Sequence, residues 1–284
     1  MKEYSVKVAN KDFKFLNGEI NTKGSRVKRI VIDKKGNKAF FKYEGQGYLV
    51  SEACSEKMSY EIAKVLNYKC ARIELAKDQQ GTIGVLNYLF VDNCVSEHTD
   101  AVSYLNIHDN ERSKYYTISN IKKVLDELDK NLFADFIKIM IFDALVGEQD
   151  RHEENWGIQK REDKYILSPL YDNGCNLLRN FKDESYANDY YNGIKNFNSY
   201  IYKSKTIIYK EDNKKQYKHF ELIEYLNNNY HDIVQKEINN LNNLTDNIIE
   251  SIVQKIPGNL ITKKHKEYII YYLKKRRDIL LEIK

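Results

Sequence analysis

The sequence is poor in cysteine, in proline and in long apolar runs, and each shortage argues against a class of protein. No apolar run approaches the roughly 20 residues that span a bilayer, and the polar N-terminal residues lack the apolar core of a signal peptide. The two prolines mark no flexible linker. The four cysteines lie far apart and form no Cys-x-x-Cys pair, so we expect free thiols in a reducing compartment such as the cytoplasm.

Neither sign of charge dominates the sequence. Lys and Arg number 46 and Asp and Glu number 41, which leaves a formal net charge of +5, and the basic residues are scattered. We therefore expect no direct binding of nucleic acid. The 284 residues, of which 42% are hydrophobic, suffice for one large domain or two lobes with a globular core.

Strand patterns dominate the first ninety residues. Residues 27–33 and 39–43 flank a turn and are rich in β-branched and aromatic side chains, which predicts a β-hairpin. From Ser55, a candidate helix N-cap, apolar residues recur at helical spacing. Residues 72–76 and 82–91 return to strand character. One helix among several strands is therefore expected in this part of the chain.

Helix patterns dominate after about residue 92. Residues 121–128 and 133–146 carry apolar side chains at three- and four-residue steps. Residues 179–216 are polar, Tyr-rich and weakly patterned, which predicts a long loop with some structure. Four further helices are predicted, at residues 220–230, 232–241, 245–255 and 263–282. This order predicts an α+β, two-lobed protein-kinase-like fold, with a β-rich lobe over residues 1–91 and a helical lobe over residues 92–284.

Residues 147–157 contain the most informative motif. Asp150 and Asn155 are separated by four residues, as in a kinase catalytic loop, where the Asp orients the attacking hydroxyl and the Asn holds a metal ion. Asp172 follows a predicted hairpin and is the second candidate ligand for Mg²⁺, which prefers oxygen. His152 either stabilises charge on the transferring group or braces the loop. The motif predicts phosphoryl transfer from ATP.

Other residues of this loop allow simpler interpretations. Arg151 either binds a phosphorylated residue or forms a salt bridge. Glu153 and Glu154 are expected to face solvent, and Trp156, the single tryptophan, is expected to pack behind the loop.

Three parts of the N-terminal half are candidates for binding the nucleotide. Gly24 and Ser25 precede the first clear strand, where exposed backbone N–H groups could cover phosphates. Lys42 lies on the strand that follows, and an inward-facing lysine there would contact phosphates; a solvent-facing lysine is the alternative. Glu56 on the next helix is the expected partner of Lys42. The acids that compete for this role are Glu52 and Glu61.

Taken together, these motifs resemble the HipA-like serine/threonine kinases. That family's Gly-x-x-Asp-Arg-His-x-x-Asn loop corresponds to residues 147–155, and its Pro-Leu-Tyr-Asp segment corresponds to residues 169–172. Its glycine-rich loop corresponds to residues 24–28, with Arg26 in place of the family's Gln. The chain is most similar to a short, single-chain branch that includes a cell-translocating kinase.

The resemblance implies an ATP- and Mg²⁺-dependent protein kinase that acts on Ser or Thr, either as a bacterial cytoplasmic toxin with an antitoxin partner or as a delivered effector. Members of the family modify an aminoacyl-tRNA synthetase, which is one candidate protein substrate. HipA phosphorylates a serine in its own glycine-rich loop, which makes Thr22 and Ser25 candidate autophosphorylation sites. Phosphoinositide kinases share the Asp-Arg-His-x-x-Asn loop. A lipid or small-molecule kinase and an inactive binding module therefore stay open as alternatives.

Overall fold

The computed structural model describes residues 2–20, 28–44, 50–91, 97–105, 107, 112–162, 164–181, 183–211 and 214–284, although the side chains of residues 17–20 are not part of the description. Among the residues so described, no helix combines the length and the apolar character that crossing a membrane requires.

The chain forms two compact units, each assembled from three segments. Unit 1 comprises Met1–Phe90, Asn173–Ile194 and Thr245–Tyr271. Unit 2 comprises Val91–Asp172, Lys195–Leu244 and Tyr272–Lys284. These units describe packing alone, so the division into two kinase lobes at residues 91 and 92 stays a prediction.

The secondary structure follows the expected order of a strand-rich region and then a helix-rich region. The strands are Lys7–Val8 (β1), Phe13–Ile20 (β2), Lys28–Asp33 (β3), Lys38–Tyr43 (β4), Ile73–Lys77 (β5), Ile83–Tyr88 (β6), Glu97–Asp100 (β7), Gly157–Arg161 (β8), Lys164–Leu167 (β9), Lys205–Tyr209 (β10) and Gln216–Lys218 (β11). The α-helices are Glu52–Val65 (α1), Ala101–Leu105 (α2), Arg112–Tyr115 (α3), Ile118–Leu128 (α4), Leu132–Val146 (α5), Glu184–Tyr191 (α6), Phe197–Lys203 (α7), His219–Asn229 (α8), His231–Asn240 (α9), Asp246–Gln254 (α10) and Lys263–Leu281 (α11). A short 3-10 helix covers Leu241–Asn243.

Unit 1 contains a six-stranded sheet in the order β1-β5-β6-β4-β3-β2. The predicted hairpin is present as β3 and β4, and its turn is fixed by the Asp33 carboxylate, which accepts the backbone N–H groups of Lys35 and Asn37. Because side chains alternate along a strand, Phe41 joins Phe13 in an aromatic core on one face. Lys42 therefore points to the opposite face of the sheet.

Helix α1 begins one turn earlier than expected. Ser51, not Ser55, is the N-cap, and its hydroxyl accepts the backbone N–H of Cys54 at 3.2 Å. Ser55 is buried inside the helix and donates to the carbonyl of Asn176 at 3.3 Å. The side-chain amide of Asn176 in turn donates to the Ser59 hydroxyl at 3.0 Å. These two hydrogen bonds hold Asn176, a few residues after Asp172, against helix α1, which carries Glu56.

Unit 2 is organised around the apolar helix α5, which contacts α4, α8 and α9. Nearly every residue of α5 is buried, in keeping with a core helix. Beside the helices, β7, β8 and β9 form a three-stranded antiparallel sheet. The β8–β9 hairpin was expected, whereas β7 was not, because its residues, Glu-His-Thr-Asp, carry no strand pattern.

Residues 179–216, predicted as a long loop with some structure, contain more regular structure than expected. The described part of this stretch contains two helices, α6 and α7, and the β10 strand of a short hairpin. Both helices begin with side-chain caps, since Asp183 accepts the backbone N–H of Tyr186 and Asn196 accepts that of Ser199. Capping and packed aromatic rings, such as Phe181 on Tyr190, stabilise helices whose apolar periodicity is weak.

Candidate active site

The candidate catalytic loop begins where α5 ends. Gly147 adopts a left-handed conformation, with φ of 74°, and its N–H donates to the carbonyl of Asp143 at 2.8 Å. A Cβ at this position would collide with the hydroxyl of Tyr272. Glycine is therefore required here both by the backbone angle and by the close approach, and it turns the chain sharply toward Asp150.

Arg151 is the structural centre of the loop. Its buried guanidinium pairs with both oxygens of Asp143, at 3.0 and 2.8 Å. It also donates to the carbonyls of Asn155 at 3.0 Å and Tyr171 at 2.8 Å. Burial alone would lower the pKa of Arg151, but the nearby acidic groups, Asp143 foremost and Glu148 after it, together outweigh burial and the net shift is upward. Of its two predicted roles, the structure provides the salt bridge.

The backbone carbonyl of Asp150 holds the turn together. It accepts the backbone N–H of His152 at 2.8 Å and the side-chain amide of Asn155 at 2.7 Å. The Asp150 side chain is exposed, whereas Asn155 is buried. Since its nitrogen is directed to Asp150, the amide oxygen of Asn155 is the atom that remains for a hard cation. His152 accepts the N–H of Glu154 at its Nδ1, at 3.2 Å.

Two acids of the loop are buried, and the sequence indicated neither burial. Glu153, expected in solvent, pairs with Arg112 at 2.9 Å. Glu148 accepts the backbone N–H of Asp150 at 2.9 Å, and burial raises its pKa to about 8. Trp156 packs behind the loop on Phe136, as expected.

Asp172, the second candidate metal ligand, follows directly on Tyr171, whose carbonyl is bound by Arg151. It has a positive φ of 55°, which is uncommon for a residue with a side chain and is often found at functional sites. Its carboxylate and the amide oxygen of Asn155 are both hard oxygen donors, the type that Mg²⁺ prefers. Metal binding by these residues stays a prediction.

In unit 1, Lys42 and Glu56 form a buried ion pair. The lysine Nζ donates to a carboxylate oxygen of Glu56 at 2.9 Å. The competing acids have other partners, since Glu61 pairs with Lys57 at 2.8 Å and Glu52 with Arg179 at 3.4 Å. The inward orientation of Lys42 thus holds, and its nucleotide-binding role stays a prediction. Gly24, Ser25 and Thr22 lie outside the described residues.

Comparison with known proteins identifies the family. The family model described as the HipA-like C-terminal domain matches residues 20–257. The chain belongs to this HipA-like family. Among curated proteins, it is 23% identical to the serine/threonine-protein kinase CtkA of Helicobacter pylori over 269 residues, which cover 87% of this chain and 81% of the relative.

Solved structures of other proteins support the same fold. The crystal structure of the Helicobacter pylori proinflammatory kinase CtkA matches with a TM-score of 0.75 at 20% identity, covering 89% of this chain and 92% of that one. HipA in the Shewanella oneidensis toxin–antitoxin complex with HipB and operator DNA matches with a TM-score of 0.57 at 12% identity, covering 98% of this HipA-like chain and 65% of that one. The predictions of a HipA-like kinase and of a protein-kinase-like α+β fold are therefore confirmed.

Proposed function

We propose that this HipA-like protein is an ATP- and Mg²⁺-dependent serine/threonine protein kinase. The observation that carries the proposal is the bonding of Arg151, whose one guanidinium binds the carbonyls of Asn155 and Tyr171. Through these bonds it fixes the backbone of Asn155, one candidate metal ligand. It also fixes the backbone of Tyr171, which precedes Asp172, the other candidate. Such preorganisation is what phosphoryl transfer demands, because positioning and charge supply most of the catalysis.

Each loop residue has a defined role in this mechanism. Asp150, exposed at the turn, would accept the proton of the attacking hydroxyl and orient its oxygen. His152, whose Nδ1 accepts a backbone N–H, would carry its proton on Nε2 and brace the turn or donate to the transferring phosphoryl group. Asn155 and Asp172 would hold Mg²⁺, which supplies neutralisation of phosphate charge.

Lys42 is the proposed ligand of the nucleotide phosphates. Lys42 donates to Glu56 at 2.9 Å, and its ammonium group is the positive charge that would contact a phosphate. Glu56 would hold Lys42 in the orientation for phosphate binding, as in other kinases. Gly24 and Ser25 are assigned to the phosphates from the sequence alone.

The proposal is tested with the Asp150→Asn variant and radiolabelled ATP. We expect phosphate transfer to protein to fall by about 10³-fold or more, because a side chain without basicity cannot accept the proton. Thermal stabilisation by Mg²⁺ and ATP should persist. The matched control is Glu154→Gln, which alters an exposed acid of the same loop and should keep full activity. Full activity of Asp150→Asn contradicts the assignment.

The acceptor and the biological role also belong to the proposal. By analogy with its relatives, the protein would act as a bacterial toxin with an antitoxin partner or as a delivered effector, and an aminoacyl-tRNA synthetase is one candidate substrate. Thr22 and Ser25 are the proposed autophosphorylation sites. Mass spectrometry of the labelled products decides the class of acceptor, since a labelled lipid or metabolite in place of protein would contradict the protein-kinase assignment.

A further inference from the structure

The carboxyl group of Glu148 lies behind the candidate catalytic base and has no role in the mechanism above. Its Oε1 accepts the backbone N–H of Asp150 at 2.9 Å, and the residue is only 1% exposed. Asp150 itself is exposed, and the position of its backbone sets where its side chain begins. We propose that Glu148 is a positioning residue, whose carboxyl oxygen fixes the Asp150 N–H and so aims the Asp150 carboxylate at the acceptor hydroxyl. The inference rests on the proposed kinase activity.

Glu148 is itself held on both sides by its backbone. Its N–H donates to the carbonyl of Asp143 at 2.9 Å, which continues the end of α5. Its carbonyl accepts from Nε2 of His219, the first residue of α8, at 2.7 Å. A residue bound at both backbone groups can transmit its own position to Asp150 through its side chain.

Buried hydrogen bonds connect His219 to Ser204, which follows α7, and Ser204 to Arg276 of α11. Nδ1 of His219 is 3.0 Å from the Ser204 hydroxyl, which also accepts from Arg276 of α11 at 2.8 Å. Burial, followed by the nearby charge of Arg276, lowers the pKa of His219 to about 3. A neutral ring that donates from Nε2 to a carbonyl must carry an unprotonated Nδ1, which faces the Ser204 hydroxyl. The tautomer is thereby fixed, and with it the donor to Glu148.

The choice of residue type supports a positioning role. A carboxyl group is costly to bury, and an apolar side chain of the same length would fill the space at lower cost. An apolar side chain would, however, leave the N–H of Asp150 without this acceptor at the point where the loop must be rigid. A carboxyl, or an amide with its carbonyl oxygen, meets the requirement.

Two variants at position 148 separate positioning from packing. Glu148→Gln keeps an acceptor oxygen, whereas Glu148→Met keeps the length and volume but removes the acceptor. A misplacement near 1 Å can reduce turnover on the order of 10²-fold. We expect kcat of Glu148→Met to fall by about that factor, with the KM for ATP changed by less than about 3-fold, and kcat of Glu148→Gln to stay within about 5-fold of the parent.

Amide hydrogen exchange gives a second readout that does not depend on activity. The Asp150 amide should exchange at least about tenfold faster in Glu148→Met and at the parent rate in Glu148→Gln, because only the methionine removes its acceptor. If the parent protein transfers no phosphate, the proposed function fails, and the exchange rates still decide the positioning role. Parental kcat and exchange in Glu148→Met would overturn the inference. If Glu148→Met does not fold, a Glu148→Gln variant as inactive as Asp150→Asn overturns it.

Discussion

Two buried ion pairs, one in each unit, are built in opposite ways. In unit 2, two nitrogens of Arg151 donate to the Asp143 carboxylate. The third nitrogen donates to the backbone carbonyls of Asn155 and Tyr171. In unit 1, Lys42 meets Glu56 through one oxygen at 2.9 Å. The guanidinium is planar and fixed by its partners, whereas an ammonium group has three donors on a flexible stem.

We infer from this difference that the Arg151 pair maintains the structure of the loop, whereas Lys42 serves to bind a ligand. A bidentate pair that also bonds two carbonyls cannot change partner without dismantling the loop. An ammonium group carries three donors, so one lysine can bind a carboxylate and a phosphate oxygen together. We therefore expect loss of Arg151 to affect mainly the free energy of unfolding, and loss of Lys42 to affect mainly the reaction with ATP.

The largest effect on stability is expected for Arg151→Met. The substitution leaves the Asp143 carboxylate buried without its counter-ion, and breaking a buried pair in this way costs about 3–5 kcal/mol. Urea denaturation followed by circular dichroism measures the loss. The control is Arg72→Met, which removes an exposed pair with Glu74 and should cost no more than about 1 kcal/mol. A loss below about 1 kcal/mol for Arg151→Met would contradict the architectural role.

Lys42→Met should instead reduce phosphate transfer. Removing one preorganised charge from a reacting phosphate lowers turnover by about 10²–10³-fold. The loss of stability should be smaller than for Arg151→Met, because Arg151→Met also removes the bonds to the carbonyls of Asn155 and Tyr171. Lys38→Met is the matched control, since Lys38 begins the same strand and is exposed. Equal losses of transfer in the two variants would mean that Lys42 has no special role.

The sequence predicted those parts of the fold that local periodicity specifies. Helices α5, α8 and α9 carry regular apolar steps, and their predicted ends lie within a few residues of the observed ones. Helices α6 and α7 have little such periodicity, and the signals that were missed are their caps, Asp183 and Asn196. A cap depends on the backbone angles of one residue, which no periodic pattern reports.

The sequence indicated the candidate residues that would take part in the reaction. It did not indicate the buried residues that hold the loop in place. Asp150 and Asn155 were visible because their spacing is fixed within one turn. The burial of Glu148 and Glu153 was not, because their partners, His219 and Arg112, are 71 and 41 positions away in the chain. An acid in a polar loop looks solvated until the fold brings such a partner to it.

The smallest predicted effect is on the pH dependence of stability. It compares Glu148, a buried acid bonded to a backbone N–H, with Asp143, a buried acid paired with a cation. Burial, partly offset by Arg151, raises the pKa of Glu148 to about 8 from the ordinary value of 4.5. Between about pH 5 and pH 8 the folded protein therefore holds a proton that the unfolded chain has released. The free energy of unfolding contributed by this group must fall as the pH rises through that range.

Glutamine holds no such proton, so Glu148→Gln should flatten the fall in stability by at most about 1.4 kcal/mol for each pH unit. Urea denaturation at about pH 5.5, 6.5 and 7.5 measures the slope. Glu154→Gln, at an exposed acid of the same loop, should keep the parental slope. An unchanged slope in Glu148→Gln would mean that the carboxyl is already ionised at neutral pH. Its bond to the Asp150 N–H would then be charge-assisted, as the contacts of Arg151 are, and the glutamine variant should bind that N–H more weakly.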